Sequence, residues 1–115
     1  MMGYIRHDAI VVTTWQREDL TKAYQKAEEL GLPISRIVES PLNGYASFLI
    51  APDGSKEEWK DSEKGEEARQ AWKEWARKEG GLFIDWVHVN YGGDEPDHLS
   101  IVDYGNKEEA ASDED

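Results

Sequence analysis

Apolar positions change period several times along the chain, and each change marks an element. Residues Ala9-Ile10-Val11-Val12-Thr13-Thr14-Trp15 form a nearly continuous β-branched run, the pattern of a strand central to a sheet. Thr14 stands where it can cap the helix that follows. There Leu20, Ala23, Tyr24, Ala27 and Leu30 recur at intervals of three and four, an amphipathic helix. Gly31 ends it in a left-handed conformation, and Pro33 blocks continuation. Two short strands, 34–40 and 45–51, flank Pro41-Leu42-Asn43-Gly44, whose Asn-Gly pair supplies the positive φ values of a hairpin. Pro52-Asp53-Gly54 breaks the second strand, and Ser55 with Glu58 has capping-box spacing for a short helical turn at 56–60. A long helix over 63–79 carries Ala68, Ala71, Trp72, Trp75 and Ala76 on one face, and Gly80-Gly81 stops it. Strands at 82–91 and 98–104 then surround the turn Gly92-Gly93-Asp94-Glu95-Pro96.

The resulting order, β-α-β-β-α-β-β, predicts an α+β domain. Its first six elements match a ferredoxin-like β-α-β-β-α-β, with an extra C-terminal strand. Right-handed crossovers put both helices on one face of an antiparallel-rich sheet and leave the other face open. The expected organisation is a single domain over residues 1–106 and a disordered acidic tail over 107–115. That tail is rich in carboxylates and has no large apolar residue with which to offset its ordering entropy.

Composition narrows the function classes. A chain of 115 residues supports one ordinary core. There is no cysteine, so disulfides and thiolate metal sites are excluded. No apolar run approaches the ~20 residues of a membrane span, and the first residues lack a signal peptide's apolar stretch. A cytoplasmic, membrane-free protein is expected. The net charge of −12, from 25 acids and 13 bases, opposes a grip on DNA or RNA. It favours a partner protein with a basic surface, or serves solubility alone. The body remains acidic without the tail.

The last hairpin is the richest in candidate chemistry. Pairing Tyr91 with Asp97 sets Asp85 opposite Asp103 and His88 opposite Ser100. Trp86, His88, Asn90, His98 and Ser100 then share one face; Phe83, Val87, Val89, Leu99 and Ile101 share the other, the expected core face. On this register a polar, aromatic surface with two histidines lies on the open side of the sheet. Three readings stand for His88 and His98: exposed residues without a role, a nucleotide or peptide platform on which Trp86 stacks, or half of a catalytic pair. His98-Leu99-Ser100 resembles one half of the HxS/HxT pair of 2H phosphodiesterases. His88-Val89-Asn90 lacks the hydroxyl, however, and ten residues is far too short between halves.

Elsewhere, Pro52-Asp53-Gly54-Ser55-Lys56 offers backbone amides and Lys56 to an anion, or is a plain turn and cap. Arg6 and His7, just before the central strand, form a second possible anion contact, with a surface ion pair as the alternative. Trp59 stands outside any periodic pattern and is a candidate exposed contact residue, whereas Trp72 and Trp75 have core spacing. Asp94, Glu95 and Asp97 lack the ligand spacing of a calcium loop. No nucleophile elbow, zinc helix motif, P-loop or dinucleotide turn occurs. Neither a catalytic residue, a metal nor a cofactor is therefore assigned.

Three stretches resemble a group of small phage and mobile-element proteins: residues 3–13 (GYIRHDAIVVT), 43–59 (from NGY to APDGSKEEW) and 85–94 (DWVHVNYGGD). The resemblance implies a phage or prophage origin and no established activity. In that setting the expected function is a non-catalytic, counter-defence binding protein that inhibits a host component through its acidic surface. An oligomeric sponge for an anionic nucleotide ligand, a possible homo-oligomer, is the alternative. A small phosphodiesterase comes third. The residues set aside for ligand contact are Arg6, His7, Lys56, Trp59, Trp86, His88 and His98.

Overall fold

The structure, a computed structural model, describes residues 6–54, 60–79, 83–93 and 99–105, with the backbone alone for Arg6 and residues 60–62. The β-branched run becomes β1 (Arg6–Thr14), and the first amphipathic segment becomes α1 (Arg17–Glu29). β2 (Val38–Glu39) and β3 (Ala46–Ile50) follow, then α2 (Lys60–Lys78), β4 (Asp85–Gly92) and β5 (Leu99–Tyr104). The five strands form one sheet in the order β2-β3-β1-β4-β5, with every neighbouring pair antiparallel. The chain is thus α+β, and its five-strand order, with β5 at the edge beyond β4, differs from that of a simple ferredoxin-like sheet.

Local chemistry accounts for the boundaries. Leu32 N–H donates to Ala27 O and Gly31 N–H to Glu28 O, with Gly31 at φ 78°, so α1 closes in a Schellman motif. In the loop before β3, Asn43 and Gly44 both take positive φ, 64° and 69°. Thr14 does not cap α1. Its hydroxyl donates to Phe83 O and accepts from Gln16 N–H, and Gln16 occupies the cap position with no side-chain bond. The strand expected at 34–40 shrinks to Val38–Glu39 plus an isolated bridge between Ile34 and Ile50. Of the helical turn expected at 56–60, Lys60 opens α2; residues 55–59 lie outside the described residues, as does the acidic tail at 107–115.

Ile10 and Val12 of β1, Phe48 and Ile50 of β3 and Trp86 of β4 meet Leu20, Ala23 and Ala27 of α1 and Trp72 of α2 in one core. Both helices thus cover the same face of the sheet. Trp72 is fully buried, stands edge-on to Trp86 with ring centroids 5.7 Å apart, and donates Nε1–H to Ala23 O at 3.0 Å. That bond ties α2 to α1. Among the described residues, no helix is long and apolar enough to cross a membrane.

Candidate functional site

The covered face of the last hairpin is the opposite of the one that apolar counting selects. β4 and β5 pair as Tyr91 with Leu99, Asn90 with Ser100 and Val89 with Ile101, and then, across a bulge, His88 with Asp103 and Val87 with Tyr104. The register sits two residues away from the expected one before the bulge, so the two side-chain sets survive. Asp85, however, faces Thr13 of β1 and not Asp103. Trp86 and His88, at 6% and 5% exposure, lie beneath α2. Leu99 and Ile101 stand in the open at 69% and 66%, and Phe83 at 63%. The physical reason is size and charge together. The indole of Trp86 is the largest apolar group on the hairpin, and α2 brings it Trp72; the polar groups beside it find partners on the same helix.

Those partners form an ionic cluster whose inner members, Arg69, Lys73 and His88, are buried and whose rim is open to solvent at Asp53 and Arg77. Asp8, an even-numbered position of β1 like Ile10 and Val12, points toward α2. His88 Nε2 lies 2.9 Å from Asp8 Oδ1, and Asn90 Nδ2 donates to the same oxygen at 3.1 Å. Lys73 Nζ lies 2.9 Å from His88 Nδ1 and 3.4 Å from Asp103 Oδ2. Arg77 Nη2 reaches Asp103 Oδ1 at 2.5 Å, and its guanidinium carbon stands 5.1 Å from the centroid of Trp86. Arg69 bridges Asp8 at 3.5 Å and Asp53 at 3.6 Å. Three carboxylates thus face three cations. With the Lys73 ammonium donating to Nδ1, Nε2 is the ring nitrogen that donates to Asp8.

Two members of the cluster titrate away from their ordinary values. Burial pushes the Asp8 carboxyl up, but the hydrogen bonds from His88 and Asn90 and the charge of Arg69 outweigh it and hold Asp8 below 3.8. Loss of hydration pulls the Lys73 ammonium down from 10.5, against the attraction of Asp103. An acid held lower in the folded than in the unfolded chain stabilises the fold above its unfolded value, and that contribution is lost as pH falls through the folded value. For a lysine held lower, the burial cost is relieved as pH climbs toward 10.5. Part of the acid limb of stability, below pH 3.8, therefore belongs to Asp8. Denaturant midpoints across that limb should fall less steeply for Asp8→Asn than for the wild type. Equal slopes would assign the limb to other groups.

The residues singled out from sequence are scattered. Trp86 and His88 sit side by side under α2, with both ring nitrogens of His88 engaged. His7 is on the other face, its ring 5.3 Å from Tyr91, while the backbone of Arg6 pairs with Gly92. Lys56, Trp59 and His98 lie outside the described residues. Asp8, Arg69, Lys73, Arg77 and Asp103 are the polar groups that the sequence did not bring to this site, whereas Asn90 was already placed on the face of Trp86 and His88. One signal for them was present: Arg69, Lys73 and Arg77 recur every fourth residue, a line of cations along one side of α2. Asp103 gave none, because the bulge alone turns it toward the helix. Among the described residues, no group of three or more histidine or carboxylate side chains is placed to hold a metal.

Among the described residues, both ring nitrogens of His88 have partners, and three carboxylates stand opposite three cations. Compared with known proteins, the chain matches no family model, no curated protein and no solved structure.

Proposed function

We propose that this chain is a small non-catalytic binding protein whose acidic helix layer engages a partner with a basic surface. The observation that carries the reading is the sorting of charge on α2. Arg69 and Lys73 turn inward, 5% and 4% exposed, and are neutralised by Asp8, Asp53 and Asp103. Glu63, Glu66, Glu67, Glu74 and Glu79 of the same segment are exposed, as are Glu18, Glu28 and Glu29 of α1. On the surface, Arg17 pairs with Glu39 and Lys26 with Glu29. With Arg69 and Lys73 spent inside, the eight exposed glutamates of the helix layer outnumber its exposed cations, Arg17, Lys22, Lys64, Arg77 and Lys78. Such a surface speeds and orients encounter with a basic one more than it adds raw affinity.

The setting the sequence resemblance suggests is a phage protein that occupies a basic site on a host component. The sheet order supports reading the scaffold as a ferredoxin-like unit with an appended edge strand. A nucleotide sponge built on Trp86 and His88 would require α2 to lift from the sheet.

Capture from bacterial host lysate tests the proposal when the bound protein is followed through a salt series and against the charge-reversed variant Glu66→Lys/Glu67→Lys/Glu74→Lys. The expected partner is lost on the variant and as salt shortens the Debye length from ~10 Å at 0.1 M to ~3 Å at 1 M. A partner that survives both would sink the acidic-surface reading.

A further inference from the structure

We infer that the open face of the sheet is covered by a second copy of this chain, giving a two-fold dimer that displays two acidic helix layers on its outer sides. On that face stand the odd-numbered side chains of β1 and β4, their neighbours on β3 and β2, and the outward side chains of β5. Val11, Val38, Tyr91, Leu99, Ile101 and Tyr104 are its exposed apolar members, from 37% for Tyr91 to 69% for Leu99. Val87, Val89 and Leu49 lie half-buried between them. A sheet face of this composition needs a covering layer, and among the described residues both helices are committed to the other side.

Charge selects the occupant. The chain carries −12, and its helix layer is acidic. Along the pairing register, the open face is built from Val, Leu, Ile, Tyr, Thr, Ser, Ala and His7, with Asp85 at one end. A basic partner gains nothing there. Two copies of this chain, each at −12, repel least where this near-neutral face meets itself, and an isologous contact there is self-complementary. Size agrees. Five strands ~4.8 Å apart, at ~3.3 Å per residue, lay out roughly 500 Å² in plan. The relief of the side chains raises the accessible area toward the ~800 Å² each partner gives to a standard interface. Two twisted sheets pack face to face at ~10 Å with their side chains interdigitated.

The inference stands apart from the acidic-surface proposal, because it uses the opposite side of the molecule. Sedimentation equilibrium of the full chain tests it, with the double variant Val11→Glu/Ile101→Glu alongside. The wild type should run at twice the 13.1 kDa chain mass and remain so at high salt. The variant should run at the mass of one chain with an unchanged far-ultraviolet spectrum, since two carboxylates are then set into the apolar face that the second copy would cover. Where that variant fails to fold, Leu99→Ser/Ile101→Ser on the edge strand gives the same reading. The charge-reversed Glu66→Lys/Glu67→Lys/Glu74→Lys chain should stay dimeric even as it loses its basic partner. A wild type of one-chain mass at all concentrations, or a sheet-face variant that still dimerises, overturns the inference and leaves the helix-layer proposal standing.

Discussion

Trp72→Ala should destabilise the protein by about 3–5 kcal/mol, the range for emptying a buried aromatic site. A domain of this size holds roughly 5–15 kcal/mol in all, so much of the fold's reserve rests on one side chain. The site cannot collapse readily. Trp72 is walled by the sheet through Trp86 on one side and by α1 through Ala23 on another. Its loss also removes the indole N–H that joins the two helices. Trp72→Phe separates the two contributions: it keeps most of the volume but not the donor. Ala23 O lies within α1, where the helix's own hydrogen bonding can still serve it, so this variant should lose about 1–2 kcal/mol. Thermal midpoints should fall by on the order of 15 °C for the alanine variant and far less for phenylalanine. Equal shifts would show that the bond between the helices, and not the packing, is what matters.

Asp8→Ala ranks second. Removing this carboxylate takes an acceptor away from three groups at once: His88 Nε2, Asn90 Nδ2 and one arm of Arg69. Breaking a buried pair by deleting one partner costs about 3–5 kcal/mol when the survivor is sealed from water. The Asp8 side chain is 26% exposed, so water can reach part of the gap and the loss should fall toward 2–3 kcal/mol. Arg69 would feel it most, since its Nε already finds no acceptor among the described residues. Urea midpoints with an unchanged m-value would measure the effect. Combining Asp8→Ala with Arg69→Met should cost less than the sum of the two single changes, because the second removes a charge that the first has deprived of one of its two carboxylates. Strict additivity would mean that the two side chains do not depend on each other.

What was legible in the sequence, and what was not, divides along physical lines. β1 could be read because a β-branched run of that length has few other uses. The end of α1 was equally plain, since Gly31 has the backbone freedom a Schellman turn requires. Trp72 and Trp75 declared themselves through helical spacing. β2 could not be sized: Ile34 to Ser40 has strand-like residues, yet only Val38 and Glu39 lie in the ladder. The hairpin failed for a different reason. Its two side-chain sets were separable by alternation, but deciding which one the helices cover required knowing that α2 carries both a tryptophan and a line of cations toward it. Counting aliphatics favoured Val87 and Val89. Volume and charge complementarity favoured Trp86 and His88, and these decided the outcome.

The extra residue in β5 has an effect beyond steering Asp103 under the helix. A strand with a regular ladder on its outer rim invites another chain to zip alongside it, and sheets that grow that way have no natural stopping point. The break at Val102 spoils the spacing of the free amides and carbonyls along that rim and increases the local twist. Sideways growth is thereby discouraged, while stacking face to face is left untouched. An irregularity that looks like a flaw in the last strand thus works against open-ended growth along that edge, in keeping with the proposed pairing of two copies.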